Sequence, residues 1–218
     1  MASFHRLRTK LDDLDRQDPL RRRHGADKHQ YRVNDPLPLS VVEGLEARCG
    51  TRLPDEYRRF VAEFGDGGAG PGYGILRLAD AVEELFGYYD EDEPGYRQLL
   101  SDPFPAPQTV GESRELDWPA RGILPVSHIG SGSMHVLVVS GRERGSMWRW
   151  TNDSLYWPVP SPADRPQYSK NSPEESRVAA VRAWERKLLS AENRYRATLL
   201  MWYEDWIDHS LRAAGAHD

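Results

Sequence analysis

The chain has 218 residues, enough for one domain with a sizeable core, and it is 39% hydrophobic and 29% charged with a net charge of −5. A single cysteine, Cys49, excludes a disulfide framework and a cysteine-based zinc site. The sequence has neither a signal-peptide pattern nor a long apolar stretch, so we expect a cytoplasmic protein with no membrane contact.

A basic segment precedes an acidic remainder. Residues 1–34 contain nine Lys and Arg against five Asp, a net charge of +4, which leaves −9 for the rest of the chain. We therefore expect residues 1–35 to form a basic arm, partly disordered or helical, followed by a single domain over residues 36–214. The acidic domain weighs against nucleic acid as a partner, except through the arm. Three leucines at helical spacing favour a short helix in the arm: Leu7, Leu11 and Leu14.

Two helices are predicted at the start of this domain. The first has an N-cap at Ser40, a capping-box partner at Glu43 and a stop at Gly50. Its predicted apolar face consists of Val41, Val42, Leu45 and Cys49. The second begins after Pro54 and ends at Gly65. Its apolar stripe consists of Tyr57, Phe60, Val61 and Phe64.

Residues 65–70, GDGGAG, match the G-x-G-x-x-G pattern of dinucleotide-binding loops. Such a loop follows a strand and opens a helix, because the pyrophosphate lies on the helix N-terminus. Here the run follows a predicted helix, whose C-terminus disfavours phosphate, and precedes GILRL, which we interpret as a short strand. We therefore predict a helix-to-strand turn and no bound nucleotide or other cofactor.

An acidic and aromatic stretch follows. Leu78 to Gly87 is predicted to be helical, and residues 80–93 contain seven Asp and Glu but no Lys or Arg. Acidic groups suit a basic protein surface, and aromatic rings supply interface anchors. The predicted partner-binding residues are Tyr88, Tyr89, Asp90, Glu91, Asp92, Glu93, Tyr96 and Trp118. The alternative is a solvated loop whose aromatic rings only pack it down.

Three strands are predicted next, in GILPVSHI, SMHVLVVSG and SMWRW, with turns at residues 130–132 and 141–145. The middle strand is apolar on both faces and should be central. After a proline-rich loop at residues 151–175 come C-terminal helices. The last helix has a broad apolar face of Leu199, Leu200, Trp202, Tyr203, Trp206, Ile207 and Leu211. This order predicts an α+β fold, with N-terminal and C-terminal helices packed on a mainly antiparallel sheet.

Catalytic and metal-binding patterns are weak in this sequence. His128 and His135 could approach across a hairpin, but no further ligands at metal-binding spacing accompany them. The GSGSM segment lacks the final glycine of a nucleophile elbow and is typical of a hairpin turn. We therefore predict no catalytic residues, no metal site and no enzyme activity. A small hydrolase using Ser133 and His135 is the alternative.

The motifs LPDEYRRFVAEFGDGGAGPGYGILRL, LLSDPFP, GILPVSHIGSGSMHVLVVSGRERGSMW and WYEDWID, in this order, resemble the SUKH superfamily. That superfamily includes yeast cell-wall synthesis regulators that confer killer-toxin resistance and many bacterial proteins. The resemblance implies an α+β fold, no cofactor and, for most bacterial relatives, an immunity protein that binds and neutralises a toxin, often a nuclease. The alternative is an intracellular regulatory or scaffold protein of the same fold with no toxin partner.

Overall fold

The computed structural model describes residues 4–87, 98–106, 120–151, 156–162, 173–176, 178–180, 183 and 196–214. Its helices are, in chain order, α1 (Phe4–Gln17), α2 (Ala26–His29), α3 (Leu39–Cys49), α4 (Asp55–Arg59), α5 (Leu78–Phe86), α6 (Gln98–Ser101) and α7 (Leu199–Ala214). A π-helical turn, Phe60–Phe64, extends α4, and residues 174–176 and 178–180 are also helical. Within these described ranges no helix has the length and apolar character needed to cross a bilayer.

One antiparallel sheet carries these helices, which confirms the predicted α+β class. Its strands are β1 (Ile123–Gly130), β2 (Ser133–Val138), β3 (Met147–Trp150) and β4 (Tyr156–Pro158), in the order β1-β2-β3-β4. In the register, Val136 lies opposite Pro125 on one side and Trp148 on the other. The three predicted strands are present. Strand β4 is an addition that lies inside the stretch we interpreted as a proline-rich loop.

The central strand β2 is covered on both faces, as predicted. Leu137 and the following Val139 belong to the large cluster formed with the helices. Met134, Val136 and Val138 belong to a second cluster on the opposite face. Alternate side chains of a strand point to opposite faces, so the consecutive apolar residues Val136, Leu137 and Val138 place this part of β2 in the middle of the core.

The start of α3 differs from the prediction. The helix begins at Leu39 after Pro38, no side chain caps it, and Ser40 is its second residue. Glu43 instead pairs with Arg58 at 3.3 Å. Val41, expected on the buried face, is exposed, while Val42, Leu45 and Cys49 are buried. The shift follows from Pro38, which takes the capping position and whose carbonyl accepts the Val41 N–H at 2.9 Å. At the other end Gly50 closes the helix with a positive φ of 63°, as predicted.

Helix α4 and its π-helical extension contain the predicted apolar stripe, in which every member is buried: Tyr57, Phe60, Val61 and Phe64. The extension ends at Gly65, whose N–H reaches back five residues to the Phe60 carbonyl at 2.8 Å. The GILRL segment is not a regular strand. Ile75 forms an isolated bridge with Gly68, and the helical residues begin at Leu78.

The N-terminal segment contributes α1, which lies against α7. Leu7, Leu11 and Leu14 are at most 3% exposed. Polar groups border this contact: the Lys10 ammonium lies 2.8 Å from a Glu204 carboxylate oxygen on α7. The Arg8 guanidinium covers the Phe64 ring at 4.9 Å. Most of the predicted apolar face of α7 is buried, and Trp206 and Leu211 pack against the core while remaining partly exposed.

Candidate protein-binding surface

The predicted partner-binding residues, Tyr88, Tyr89, Asp90, Glu91, Asp92, Glu93, Tyr96 and Trp118, lie outside the described residues. The described chain reaches the first of them through α5 and Gly87. Helix α5 therefore fixes where the predicted binding stretch begins. Its own surface is the part of the candidate interface for which side-chain positions are known.

A buried carboxylate holds the start of α5. Asp66 is 3% exposed, and its Oδ1 accepts the Leu78 N–H at 2.7 Å. A carboxylate at this position satisfies an otherwise free N–H and interacts favourably with the positive end of the helix dipole. Burial raises the pKa of Asp66, and the Leu78 hydrogen bond and the nearby Arg77 oppose that rise. The glycine-rich turn thus acts as the anchor of α5.

The outer face of α5 is acidic. Asp80 and Glu83 are exposed and have no ion-pair partner among the residues that the structure describes. Glu84 lies 3.4 Å from His128 Nε2 on β1. We call Asp80, Glu83 and Glu84 the acidic edge. Acidic groups in the last turn of a helix face its negative end and cost about 0.3–1 kcal/mol each. Helix stability therefore does not explain Glu83 and Glu84.

Most amides of the glycine run that precedes α5 donate to carbonyls of this protein. The N–H groups of Gly68 and Ala69 donate to the carbonyls of Ile75 at 2.9 Å and of Arg32 at 2.6 Å. A Cβ on Gly68 would collide with the Arg32 carbonyl oxygen, and one on Gly72 with that of His128. The glycines therefore let segments of this protein approach each other closely. The run follows a helix, as predicted, and lacks the strand-to-helix geometry of a dinucleotide loop.

A cleft of about 280 Å³ lies between the start of α4, the turn after β2 and the start of α7. On its wall, Glu56 accepts the Leu200 N–H at 3.2 Å and so caps α7. Arg144 at its rim donates to the Arg52 carbonyl at 2.9 Å. Another lining residue, Arg196, is buried and pairs with the fully buried Glu143. These polar groups bond the turn after β2, the region at the start of α4 and the start of α7 to one another. We therefore interpret the cleft as a place where these elements are held together.

The serines and histidines considered for catalysis lie on β1, on β2 and in the turn between them. The Ser127 hydroxyl donates to the Pro71 carbonyl at 2.5 Å, and β1–β2 pairing places Ser127 opposite His135 and His128 opposite Met134. His135 packs against Trp202, and its Nδ1 has no hydrogen-bond partner among the described residues. No group of three or more His, Cys, Asp or Glu in that part of the chain is arranged to hold a metal ion.

Two features of the structure were not predicted from the sequence. The Glu143–Arg196 pair joins positions 53 residues apart, and no local pattern connects them. Tyr73, by contrast, carries a signal that we did not use: it stands between two glycines with positive φ, Gly72 and Gly74. Such a setting typically fixes a side chain outward at a turn, and Tyr73 is 47% exposed.

Comparison with known proteins gives one match. Residues 36–167 match the model of the SMI1/KNR4 family (SUKH-1). No curated protein and no solved structure matches the chain. The family match spans the helices α3 to α6, the glycine-rich turn, the acidic edge and the whole sheet. Because it covers well over half of the 218 residues, the chain belongs to the SMI1/KNR4 family (SUKH-1).

Proposed function

We propose that this chain is a non-catalytic protein-binding domain that acts as an immunity protein and neutralises a cognate bacterial toxin. The toxin presents a basic surface, and a nuclease domain is the class that best fits. The observation that carries the proposal is the acidic edge. It has two exposed carboxylates without ion-pair partners in the described chain, and it leads directly into the acidic and aromatic residues 88–96.

Charge complementarity acts mainly on the rate of encounter. An acidic surface steers a basic partner and raises the association rate, and salt weakens this effect. Tyr88, Tyr89, Tyr96 and Trp118 are the candidates for buried aromatic anchors, which carry most of the affinity in a typical interface. The domain needs no catalytic group for this role, because occupying the toxin surface is sufficient.

The experiment is co-expression with the toxin-like domain encoded by the neighbouring reading frame, followed by pull-down of the complex. We expect growth to be rescued and the two proteins to co-purify. If no neighbouring product binds and growth is not rescued, the immunity role is wrong. The regulatory alternative then becomes the better account of the fold.

A charge variant tests the surface itself. The double substitution Asp80→Asn and Glu83→Gln should slow association at low salt by about tenfold. It should leave the melting temperature about unchanged, because the loss of Asp80 from the first turn of α5 and the loss of Glu83 from its last turn act in opposite directions. The matched control, Asp12→Asn with Asp35→Asn, removes two exposed acids elsewhere that have no ion-pair partner in the described chain, and it should have little effect. An equal loss in both variants would assign the effect to net charge and not to the acidic edge.

A further inference from the structure

Residues 18–32, which we call the basic loop, form an ordered structure around one carboxylate. Asp18 is 6% exposed. It accepts the backbone N–H groups of Arg22 at 2.9 Å and Arg23 at 3.2 Å, together with the Tyr31 hydroxyl at 2.6 Å. The loop contains five Lys and Arg against two Asp, a net charge of +3, which leaves −8 for the rest of the chain. A net charge of +3 is therefore held on a backbone that Asp18 fixes by hydrogen bonds.

The loop backbone is also strained. Arg21, Gln30 and Tyr31 have positive φ values of 53°, 51° and 56°. Residues other than glycine adopt this region rarely, and strain of this kind persists where surrounding contacts determine the conformation. Here the Arg21 guanidinium covers the Tyr31 ring at 5.1 Å and pairs with Asp15. Arg21 thus holds the loop in this conformation. Its neighbours Arg22 and Arg23 are not used for these contacts.

A basic and aromatic ridge begins at the residue after Arg21. Arg22 is exposed and Arg23 half-buried, and neither has an ion-pair partner in the described part of the chain. The His24 ring lies against the Tyr73 ring with centroids 5.1 Å apart. Tyr73 is held in turn by its N–H, which donates to the His128 carbonyl at 2.9 Å. We call Arg22, Arg23, His24 and Tyr73 the basic ridge.

We propose that the basic ridge binds single-stranded nucleic acid, with Arg22 and Arg23 on phosphates and one base stacked on Tyr73. Cationic groups beside an exposed aromatic ring are the combination that binds an unpaired strand. An exposed ring can stack on an unpaired base, whereas the bases of a duplex are already stacked on one another. The positive charge of the ridge repels the basic toxin surface proposed for the acidic edge. This second activity therefore does not rest on the proposed immunity role.

Fluorescence anisotropy of the full-length protein with a short labelled oligothymidylate tests the proposal. Arg22→Ala with Arg23→Ala should weaken binding by about tenfold or more and reduce the salt slope of log K by about 1.4, the value for two phosphate contacts on a single strand. Tyr73→Ala should weaken binding by about fivefold to a hundredfold at an unchanged salt slope, as expected for one lost stack. Tyr73→Phe should retain binding, because it keeps the ring.

The matched control, Arg48→Ala with Arg149→Ala, removes two exposed arginines elsewhere and should bind like the unaltered protein. Three results would overturn the proposal: no binding by the unaltered protein at low salt, equal losses in the control, or no effect of Tyr73→Ala. Equal affinity for an oligoglutamate probe would also overturn it and assign the ridge to acidic protein segments. All five altered side chains are exposed or half-buried, and a melting curve for each variant verifies that it folds.

Discussion

Two histidines lie where a charged imidazole is disfavoured: His29 is buried and His135 is partly buried. His29 Nδ1 accepts the Tyr31 N–H at 3.1 Å, and its ring packs edge-on against Trp206 with centroids 5.8 Å apart. His135 packs against Trp202 with centroids 4.8 Å apart. Desolvation lowers the pKa of each histidine from the ordinary 6.5 to about 4. Both rings are therefore neutral at pH 7 and pack as apolar groups against the tryptophans.

These two pKa values predict how stability depends on pH. Between pH 6.5 and about 4 the unfolded chain binds a proton at each histidine and the folded chain does not, so the free energy of unfolding should fall as pH falls. The loss is about 3 kcal/mol for each histidine, and their contribution is complete above pH 6.5. Urea unfolding across this range measures it.

A variant separates the histidines from the carboxyl groups that titrate nearby. Burial raises the pKa of Asp66 and Glu143, which act in the opposite direction. The informative quantity is therefore the difference between proteins in the slope of the free energy of unfolding against pH. His135→Leu should flatten the fall in stability, whereas His209→Leu, at an exposed site, should not change it. Identical slopes in all three proteins would contradict the burial argument.

The turn between β2 and β3 is tied to the start of α7 by the buried ion pair Glu143–Arg196. Both side chains are fully buried. The Arg196 guanidinium also lies 5.7 Å from the centre of the Trp148 ring. Burial raises the pKa of Glu143 and lowers that of Arg196, although each partner favours the charge of the other. A pair with this balance between desolvation and attraction specifies an arrangement more than it adds stability.

Arg196→Met should therefore reduce the free energy of unfolding by about 3–5 kcal/mol, because it leaves the Glu143 carboxylate buried without its main partner. The double variant Glu143→Leu with Arg196→Met should lose less than the single one, since no buried charge is left. Chemical denaturation of the full double-mutant cycle measures both. Arg52→Met, which removes an exposed pair with Asp55, should cost less than about 1 kcal/mol. A double variant less stable than Arg196→Met would show that the loss in the single variant does not come from an unpaired buried carboxylate.

Sequence patterns predicted those helices and strands that are determined by residues close together in the chain. The spacing of Tyr57 and Phe60 identified the second helix, Gly50 marked the end of the first, and the apolar run of β2 identified the central strand. The errors occur where distant contacts decide. Pro38 displaces Ser40 from the capping position. Strand β4 has three residues and exists because β3 offers it an edge.

The candidate site was predictable only in part, for the same reason. The run of acids at residues 80–93 includes the three members of the acidic edge, whereas the residues predicted to bind the partner lie outside the described part of the chain. The basic ridge was not identified, because Arg22 and Tyr73 are far apart in the sequence. The basic loop reaches Tyr73 through His24, and no spacing rule connects the loop fixed by Asp18 with the turn at Gly72.

At the scale of the whole molecule, the folded unit extends beyond the family match. That match begins at residue 36, whereas α1 lies before it in the chain and packs on the main core. The Phe4 ring stacks on Phe64 with centroids 5.5 Å apart, and Leu7 and Leu11 belong to the same cluster as the π-helical turn and α7. Burial of each leucine contributes about 2 kcal/mol to the free energy of unfolding. The leucines of α1 together therefore contribute an amount comparable to the entire stability of a typical domain.

A fragment of residues 36–214 should therefore be much less stable than the full chain. We expect a melting temperature lower by about 10 °C or more and binding of a hydrophobic dye, because removing α1 exposes the apolar surfaces of α7 and the π-helical turn. A peptide of residues 1–17 added in trans should restore part of the loss. The control, Arg6→Ala with Lys10→Ala in the full chain, removes the polar contacts to Glu204 and should cost about 1 kcal/mol or less. If the fragment melts like the full chain, or if the control loses as much as the fragment, α1 is held by charge at the surface and not by its buried leucines.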